Sequence, residues 1–347
     1  MMNKPIVCLG IESTAHTFAA SVIKSTSQSQ SPPKNEILSN VIKGFTTKSG
    51  GMIPNQVAEH HVEHCDAIIS KALADAHVSM TDVTLIAYSQ SPGIGHMLRV
   101  GAACARALAI KHKIPLIGVN HSIAHLEIGR LLTKAKDPIL VYVSGANTQI
   151  IAYLGKRYRI FGETLDMGIG NFLDSFGREA GLGFPGGPQI AKLADEASAN
   201  GRVANYIELP YTVKGMDMSF GGLESNLRQK LASKKYDLRD LCFSVQETIF
   251  AMVTEISERA LAHCGKDEIV LGGGVACNKR LQQMISQMCD ARGARAYFQE
   301  NQYYVDNAAM IAWLGVLECR AGMTTPVSRA TIDPYLRADE VEVVWRK

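Results

Sequence analysis

Gly10-Ile11-Glu12-Ser13-Thr14-Ala15-His16-Thr17 is the stretch on which the fold of this chain turns. It interrupts an apolar strand, Pro5 to Gly10, that resumes at Phe18 to Ile23. A tight turn of small hydroxyl residues between two strands presents backbone N–H groups and hydroxyls to an anion; alone, it reads equally well as an ordinary hairpin. It does not stand alone. At Pro138 the pattern restarts: strand Ile139 to Val143, a small-residue break at Ser144-Gly145-Ala146-Asn147-Thr148, strand Gln149 to Leu154, and a third strand from about Tyr158 to Thr164.

Each opening is followed by alternating helices and strands. The first leads through a Ser/Gln/Pro-rich loop, Ser25 to Asn35, to a third strand, Ile37 to Thr46, and a helix from about Gln56 to Ala76. Strand Val83 to Tyr88, the turn Ser91-Pro92-Gly93-Ile94-Gly95-His96, a helix to His112, strand Ile114 to Gly118 and a helix to Leu132 complete that half. The second opening leads to helices at Pro188 to Ala197 and Leu238 to His263, then to strand Glu268 to Leu271, which runs into Gly272-Gly273-Gly274. A helix from about Asn278, a strand near Ala294 to Phe298 and a helix from Ala308 to Cys319 follow. Repetition on this scale predicts an α/β protein of two duplicated, RNase H-like lobes, 1–136 and 137–347, with the last helix near their interface. That is the actin-like architecture shared by hexokinase and Hsp70 (ASKHA). In it the paired turns clamp phosphates across a cleft, and the glycine run after a later strand, including Gly273 and Gly274, receives base and ribose.

Val119-Asn120-His121-Ser122-Ile123-Ala124-His125-Leu126 supplies the chemistry. His121 and His125, four apart at a strand–helix junction, share a helix face and suit zinc or iron. Two ligands hold a metal weakly, so a third must come from elsewhere in the chain. Histidines at this spacing are often plain core or surface residues, and a rival pair, His60 and His64, lies in the charged helix upstream.

Composition bounds the rest. The chain has 347 residues, 46% hydrophobic and 20% charged, enough for a large core in two domains. A net charge of +3 advertises no global nucleic-acid field. Eight cysteines without a C-x-x-C fit reduced thiols, and no apolar run reaches membrane-spanning length, so a cytoplasmic protein with no membrane partner is expected. There is no Walker A motif, and Gly181-Leu182-Gly183-Phe184-Pro185-Gly186 matches a dinucleotide fingerprint only literally, since it follows a helical stretch and contains proline.

Gly10 to Thr17, Asn120 to His125, Val143 to Thr148, Gly272-Gly273-Gly274-Val275-Ala276-Cys277-Asn278 and Tyr303-Tyr304-Val305-Asp306-Asn307 together resemble the TsaD/Kae/Qri family, nearly end to end. Tyr142 and His16 resemble its archaeal and eukaryotic branch. The resemblance implies threonylcarbamoyl transfer from threonylcarbamoyl-AMP to the exocyclic amine of the adenine 3′ of the anticodon, in tRNAs reading codons that begin with A. It implies one divalent metal, iron or zinc, on His121, His125 and Asp306, with Tyr142 as a further contact. ATP or the adenylate would lie along Tyr142, Val143, Ser144, Gly145, Ala146, Asp174, Gly187, position 191, Gly273, Gly274 and Asn278. The implied partners are tRNA and KEOPS subunits, among them a small kinase and a dimerising subunit.

This chain departs from the family pattern at Ala146 and Ala308, where glycine is common, and at Ala191, where an acid is usual. The last removes one expected ribose contact. Basic groups at Arg228, Lys230, Lys234, Lys235 and Arg239, and at Lys156, Arg157 and Arg159, are candidates for tRNA phosphates or plain solvated faces. A small-molecule kinase of the same fold, a metallopeptidase and a non-catalytic ATP-binding scaffold are the competing functions. The peptidase lacks H-E-x-x-H, because Ser122 stands where its glutamate would be.

Overall fold

The computed structural model describes residues 5–26, 34–47, 52–199 and 201–346. Most of the loop expected at Ser25 to Asn35 lies outside these residues. The two openings fold alike. In the first half, β1 (Ile6–Glu12), β2 (Thr17–Ser25) and β3 (Asn35–Gly44) form an antiparallel meander, and β4 (Leu85–Ser91) and β5 (Leu116–Asn120) extend it in parallel from β1. In the second, β6 (Ile139–Val143), β7 (Thr148–Leu154) and β8 (Arg157–Glu163) form the meander, and β11 (Glu268–Gly272) and β12 (Arg295–Tyr297) are its parallel extension. The sheet orders, β3-β2-β1-β4-β5 and β8-β7-β6-β11-β12, are the same topology twice. A two-stranded ribbon, β9 (Val213–Lys214) with β10 (Asp217–Met218), lies apart.

Helices α1 (Pro54–Asp75) and α2 (Gly95–His112) cover the outer face of the first sheet. Helices α4 (Ile169–Glu179), α5 (Gly186–Ala197), α6 (Gly221–Ser233), α7 (Leu238–Cys264) and α8 (Lys279–Arg292) build the outer layer of the second half. The sequence reading left α6 unassigned and gave α4 only as a helical stretch ahead of Gly181. The last helix of each half crosses over. Helix α3 (His121–Leu132) packs on β6 and β11 of the second sheet; after a short α9 (Asn301–Tyr304), α10 (Ala308–Arg320) packs on β1, β2 and β4 of the first. The two crossing helices also pack on each other, and one apolar cluster runs from Cys8 and Ala87 through Leu126 and Leu314 to Leu140 and Val270.

Small residues make the crossing close. A Cβ at Gly10 would stand 2.4 Å from the Ala308 carbonyl, and one at Gly315 would stand 2.5 Å from the Ala87 methyl. The crossing also places the first turns of α3 and α10 together between the sheets, at the carboxyl ends of β1 and β6.

Candidate active site

Asparagine begins three of the helices here. Asn120 caps α3, its side chain accepting from the Ser122 and Ile123 amides. Asn307 caps α10 through the Met310 amide, and Asn278 caps α8 through Arg280 and Leu281. Capping satisfies otherwise orphaned amides and fixes where each helix starts, so the residue next to the cap is placed with little freedom. His121 follows one cap and Asp306 precedes another.

The result is a buried cluster. His121 Nε2 lies 3.3 Å from Asp306 Oδ1, and His125 Nε2 lies 3.5 Å from the same oxygen. One ligand atom from each of the three residues falls within 4.8 Å of the others, and among the described residues no other group of three or more His, Cys, Asp or Glu does so. The Tyr142 hydroxyl stands 3.1 Å from His121 Nε2, and its ring lies 5.0 Å from that of His125. Neither ring nitrogen of His125 has a hydrogen-bond partner among the described residues, although the residue is fully buried. A buried imidazole whose nearest acceptor is the Asp306 carboxylate at the edge of hydrogen-bond reach is costly, and a cation between the two would remove that cost.

The electrostatics point the same way. Burial opposes a charge on His121, but the Glu12 carboxylate, then Tyr142 and Asp306, outweigh it and push its pKa well above the usual imidazole value. Burial lowers His125. Asp306 is penalised by burial, yet the two imidazoles hold it well below the usual carboxylate range. Burial also raises the Tyr142 phenol. Surroundings that draw a proton to an imidazole nitrogen also favour a metal cation there, and the two compete.

The rival pair does not assemble. His64 Nδ1 turns to the His60 carbonyl of its own helix at 2.8 Å, the two rings lie 4.4 Å apart, and the Glu63 carboxylate comes no nearer to His64 Nδ1 than 4.0 Å. Neighbouring His61 is buried against the Ala15 carbonyl at 2.9 Å.

The nucleotide candidates fall into two groups. Tyr142 and Val143 end β6 and lead into the Ser144–Asn147 turn, closed by the Ser144 amide on the Asn147 carbonyl at 2.8 Å. The start of α4 grips this turn: Gly170 and Asn171 amides donate to the Ser144 and Gly145 carbonyls at 3.0 and 2.9 Å. Gly145 and Ala146 are left exposed, with no partner for their amides among the described residues. Gly273 presses on this turn from β11. At φ +91 its Cβ would meet the Val143 carbonyl at 2.3 Å, so only glycine fits, and its amide donates to the Tyr304 carbonyl just ahead of Asp306. Gly274 follows, exposed. The metal candidates and this turn are therefore neighbours.

Asp174, Gly187 and Ala191 form the second group, on α4 and α5. Asp174 accepts the Gly186 amide at 2.7 Å, and burial raises its pKa. Ala191, half-buried one turn along α5, offers only a methyl. Asn278 is engaged at both ends of its side chain, as the α8 cap and as donor to Gln246 at 2.8 Å. The His16 ring stands edge-on to Phe184 at 6.1 Å, and Thr47 bridges Phe184 through the backbone, so the two halves also touch at the α4–α5 loop. Two of the eight basic candidates pair with carboxylates. Arg228 pairs with Glu179 and Arg239 with Asp237, while Lys230 lies over the Tyr236 ring at 5.0 Å.

Sequence reasoning missed Glu12 and Thr14 as site residues. Glu12 is fully buried at the end of β1, and its Oε2 lies 3.0 Å from His121 Nδ1. A carboxylate closing an otherwise apolar strand was the available signal.

The family model for TsaD, tRNA N6-adenosine threonylcarbamoyltransferase, matches residues 36–313. The chain belongs to the TsaD family. This TsaD-family chain is 48% identical over 340 residues to the tRNA N6-adenosine threonylcarbamoyltransferase of Thermococcus kodakarensis, covering 98% of this chain and 100% of that one. It is 46% identical over 349 residues to a probable bifunctional tRNA threonylcarbamoyladenosine biosynthesis protein of Methanosarcina mazei, covering 100% of this chain but 60% of that one. Among solved structures, HypF of T. kodakarensis is similar with a TM-score of 0.60 at 14% identity, over 92% of this chain and 50% of that one. Component A of the Acidaminococcus fermentans (R)-2-hydroxyglutaryl-CoA dehydratase is similar with a TM-score of 0.52 at 16% identity, over 89% of this chain and 97% of that one. These two likenesses concern the fold alone, which is actin-like, as the duplicated pattern predicts.

Proposed function

We propose that this chain transfers the threonylcarbamoyl group from threonylcarbamoyl-AMP to the exocyclic N6 amine of the adenine 3′ of the anticodon, in tRNAs reading codons that begin with A. The observation that carries the reading is the meeting of His121, His125 and Asp306 beside the Tyr142–Ala146 turn, in a chain of this family. The three side chains would hold one divalent ion, zinc or iron, with Tyr142 alongside. When bound, such an ion supplies Lewis-acid polarisation of a carbamoyl or phosphate oxygen.

The chain's own groups do the positioning. The free amides of Gly145 and Ala146 offer donors to the adenylate phosphate, the group that leaves with AMP. Gly273 and Gly274 allow ribose and base to approach the backbone closely. Asp174, Gly187 and Asn278 border the same ligand, and Ala191 contributes no carboxylate to it. Two asparagine-capped helix starts, at Asn120 and Asn307, direct positive dipole ends toward the anionic donor. ATP is a second nucleotide suited to this pocket.

The partners under this reading are tRNA and the KEOPS subunits, including a small kinase and a dimerising subunit, in the cytoplasm. Among the described residues no helix is long and apolar enough to cross a membrane.

The test is reconstitution with threonylcarbamoyl-AMP, partner subunits and unmodified tRNA. Wild type forms the modified base, and chelator abolishes the reaction. His121→Ala loses at least 100-fold in rate, of the order expected when a metal's charge stabilisation is removed. A normal rate for His121→Ala refutes the proposal.

A further inference from the structure

We infer that Glu12, assisted by Thr14, is the positioning residue of the metal site: it holds His121 with its Nδ1 hydrogen turned into the first half and its Nε2 turned toward Asp306. Glu12 is fully buried, and a buried carboxylate is tolerated only where donors surround it. The donors are all local or on His121. Glu12 Oε1 accepts the Thr14 amide at 2.6 Å and the Thr14 hydroxyl at 2.5 Å, while Oε2 faces His121 Nδ1 at 3.0 Å. The Thr14 hydroxyl hydrogen is thereby committed to Glu12, so its oxygen, 3.3 Å from His121 Nδ1, meets that nitrogen only as an acceptor. With two acceptors facing it, Nδ1 must supply the hydrogen. The ring is then fixed in direction, and Nε2 faces Tyr142 and Asp306, at 3.1 and 3.3 Å, where its lone pair would serve a metal that displaces its proton. His125 has no such brace, since its Nδ1 lacks a partner among the described residues and its Nε2 faces only Asp306, at 3.5 Å. The two imidazoles are therefore unequal: one is oriented by a carboxylate, the other by packing.

The same contacts change the role of the β1–β2 turn. Repetition of the two openings suggests two phosphate-gripping turns facing each other. The first is already filled. Glu12 places a negative charge in it, the Ser13 amide donates to Ser89 Oγ at 3.0 Å, and Gly93 and Gly101 lie so close that a Cβ on either would stand 2.8 and 2.1 Å from Thr14 and Ser13. A phosphate is excluded by charge and by space. The first turn braces the metal ligand, and the phosphate rests on Ser144–Ala146 alone.

This inference rests on the metal site of the proposed function, and its test separates the two. The affinity for Zn²⁺, used as the probe, is measured by competition with a chromophoric chelator for wild type, Glu12→Gln, Thr14→Val and His121→Ala. Histidine-labelled, zinc-loaded wild type is examined by long-range ¹H–¹⁵N correlation. The expected results are loss of the tight site in His121→Ala, roughly 10–100-fold weaker zinc in Glu12→Gln, and a smaller loss in Thr14→Val. His121 Nδ1 retains its hydrogen with zinc bound. If His121→Ala binds zinc like wild type, the metal site itself falls. If His121→Ala loses zinc while Glu12→Gln keeps wild-type affinity, the brace is wrong and the metal site stands. Should Glu12→Gln fail to fold, the wild-type spectrum decides alone, and a hydrogen on Nε2 with the metal on Nδ1 overturns the inference.

Discussion

Replacing Gly10 by alanine tests whether packing between the halves sets the geometry of the site. The new methyl carbon would lie 2.4 Å from the Ala308 carbonyl oxygen, 2.7 Å from the Ala312 nitrogen and 2.8 Å from the Ala312 Cβ. Ordinary contact begins at 3.4 Å, so α10 has to retreat by about 1 Å. Two of the three obstructing atoms are backbone, and no rotamer change relieves them. Overpacking of this kind costs roughly 1–3 kcal/mol, and a backbone clash belongs near the upper end. The retreat also carries Asp306, two residues ahead of Ala308, away from imidazoles now 3.3 and 3.5 Å from its carboxylate. A displacement of about 1 Å is enough to ruin a ligand set, so zinc affinity should fall at least tenfold. Urea unfolding in chelator reads the first effect, and chelator competition for zinc reads the second. Gly222→Ala in the first turn of α6 is the control: it meets open space and should be neutral or stabilising by up to about 1 kcal/mol. Wild-type stability together with wild-type zinc affinity in Gly10→Ala would refute the reasoning.

Two further outcomes are expected. Glu318 on α10 is 3% exposed, and burial pushes its pKa up to about 8 from an ordinary 4.5. A carboxyl raised in the folded state contributes its stability below the unfolded value and loses it as pH rises through the folded one. Burial of Glu318 should therefore weaken wild type between pH 4.5 and about 8, by an amount on the order of a few kcal/mol, and the stability difference between Glu318→Gln and wild type in thermal melts should change by that amount across the window. Under the proposed function, Ala191→Glu restores a carboxylate beside the ribose. AMP binding measured by calorimetry should tighten several-fold, about 1 kcal/mol, and unchanged affinity would place residue 191 away from the nucleotide.

Much of this architecture is written in periodicity. The two meanders and their parallel extensions follow from alternating apolar runs, and the expected ends of α7 and α10 fall within a residue of those observed. Helix α6 escaped because Gly221-Gly222 opens it, and α4 was read only as a helical stretch without ends, its start blurred by Gly168 and Gly170. In α4 those glycines serve contact rather than turning: a Cβ at Gly168 or Gly170 would collide with Gly145, the turn that α4 grips. The histidine pair was legible from spacing, whereas Asp306 needed the family resemblance, because nothing local ties it to residues so far back in the chain. Glu12 was unreadable as a partner for the same reason. Its contact with His121 exists only once β1 and β5 flank β4 and bring their carboxyl ends together.

The crossing of α3 and α10 has a consequence for inheritance and engineering. Each half has lent its final helix to the other, so neither carries a complete lining for its own sheet. A gene cut in the short segment between Leu132 and Ile139 would yield two fragments, each exposing the apolar face that the other's helix is meant to cover. Such fragments would precipitate apart and reassemble only when made together. Because the helices are traded, the two halves must be inherited and engineered together.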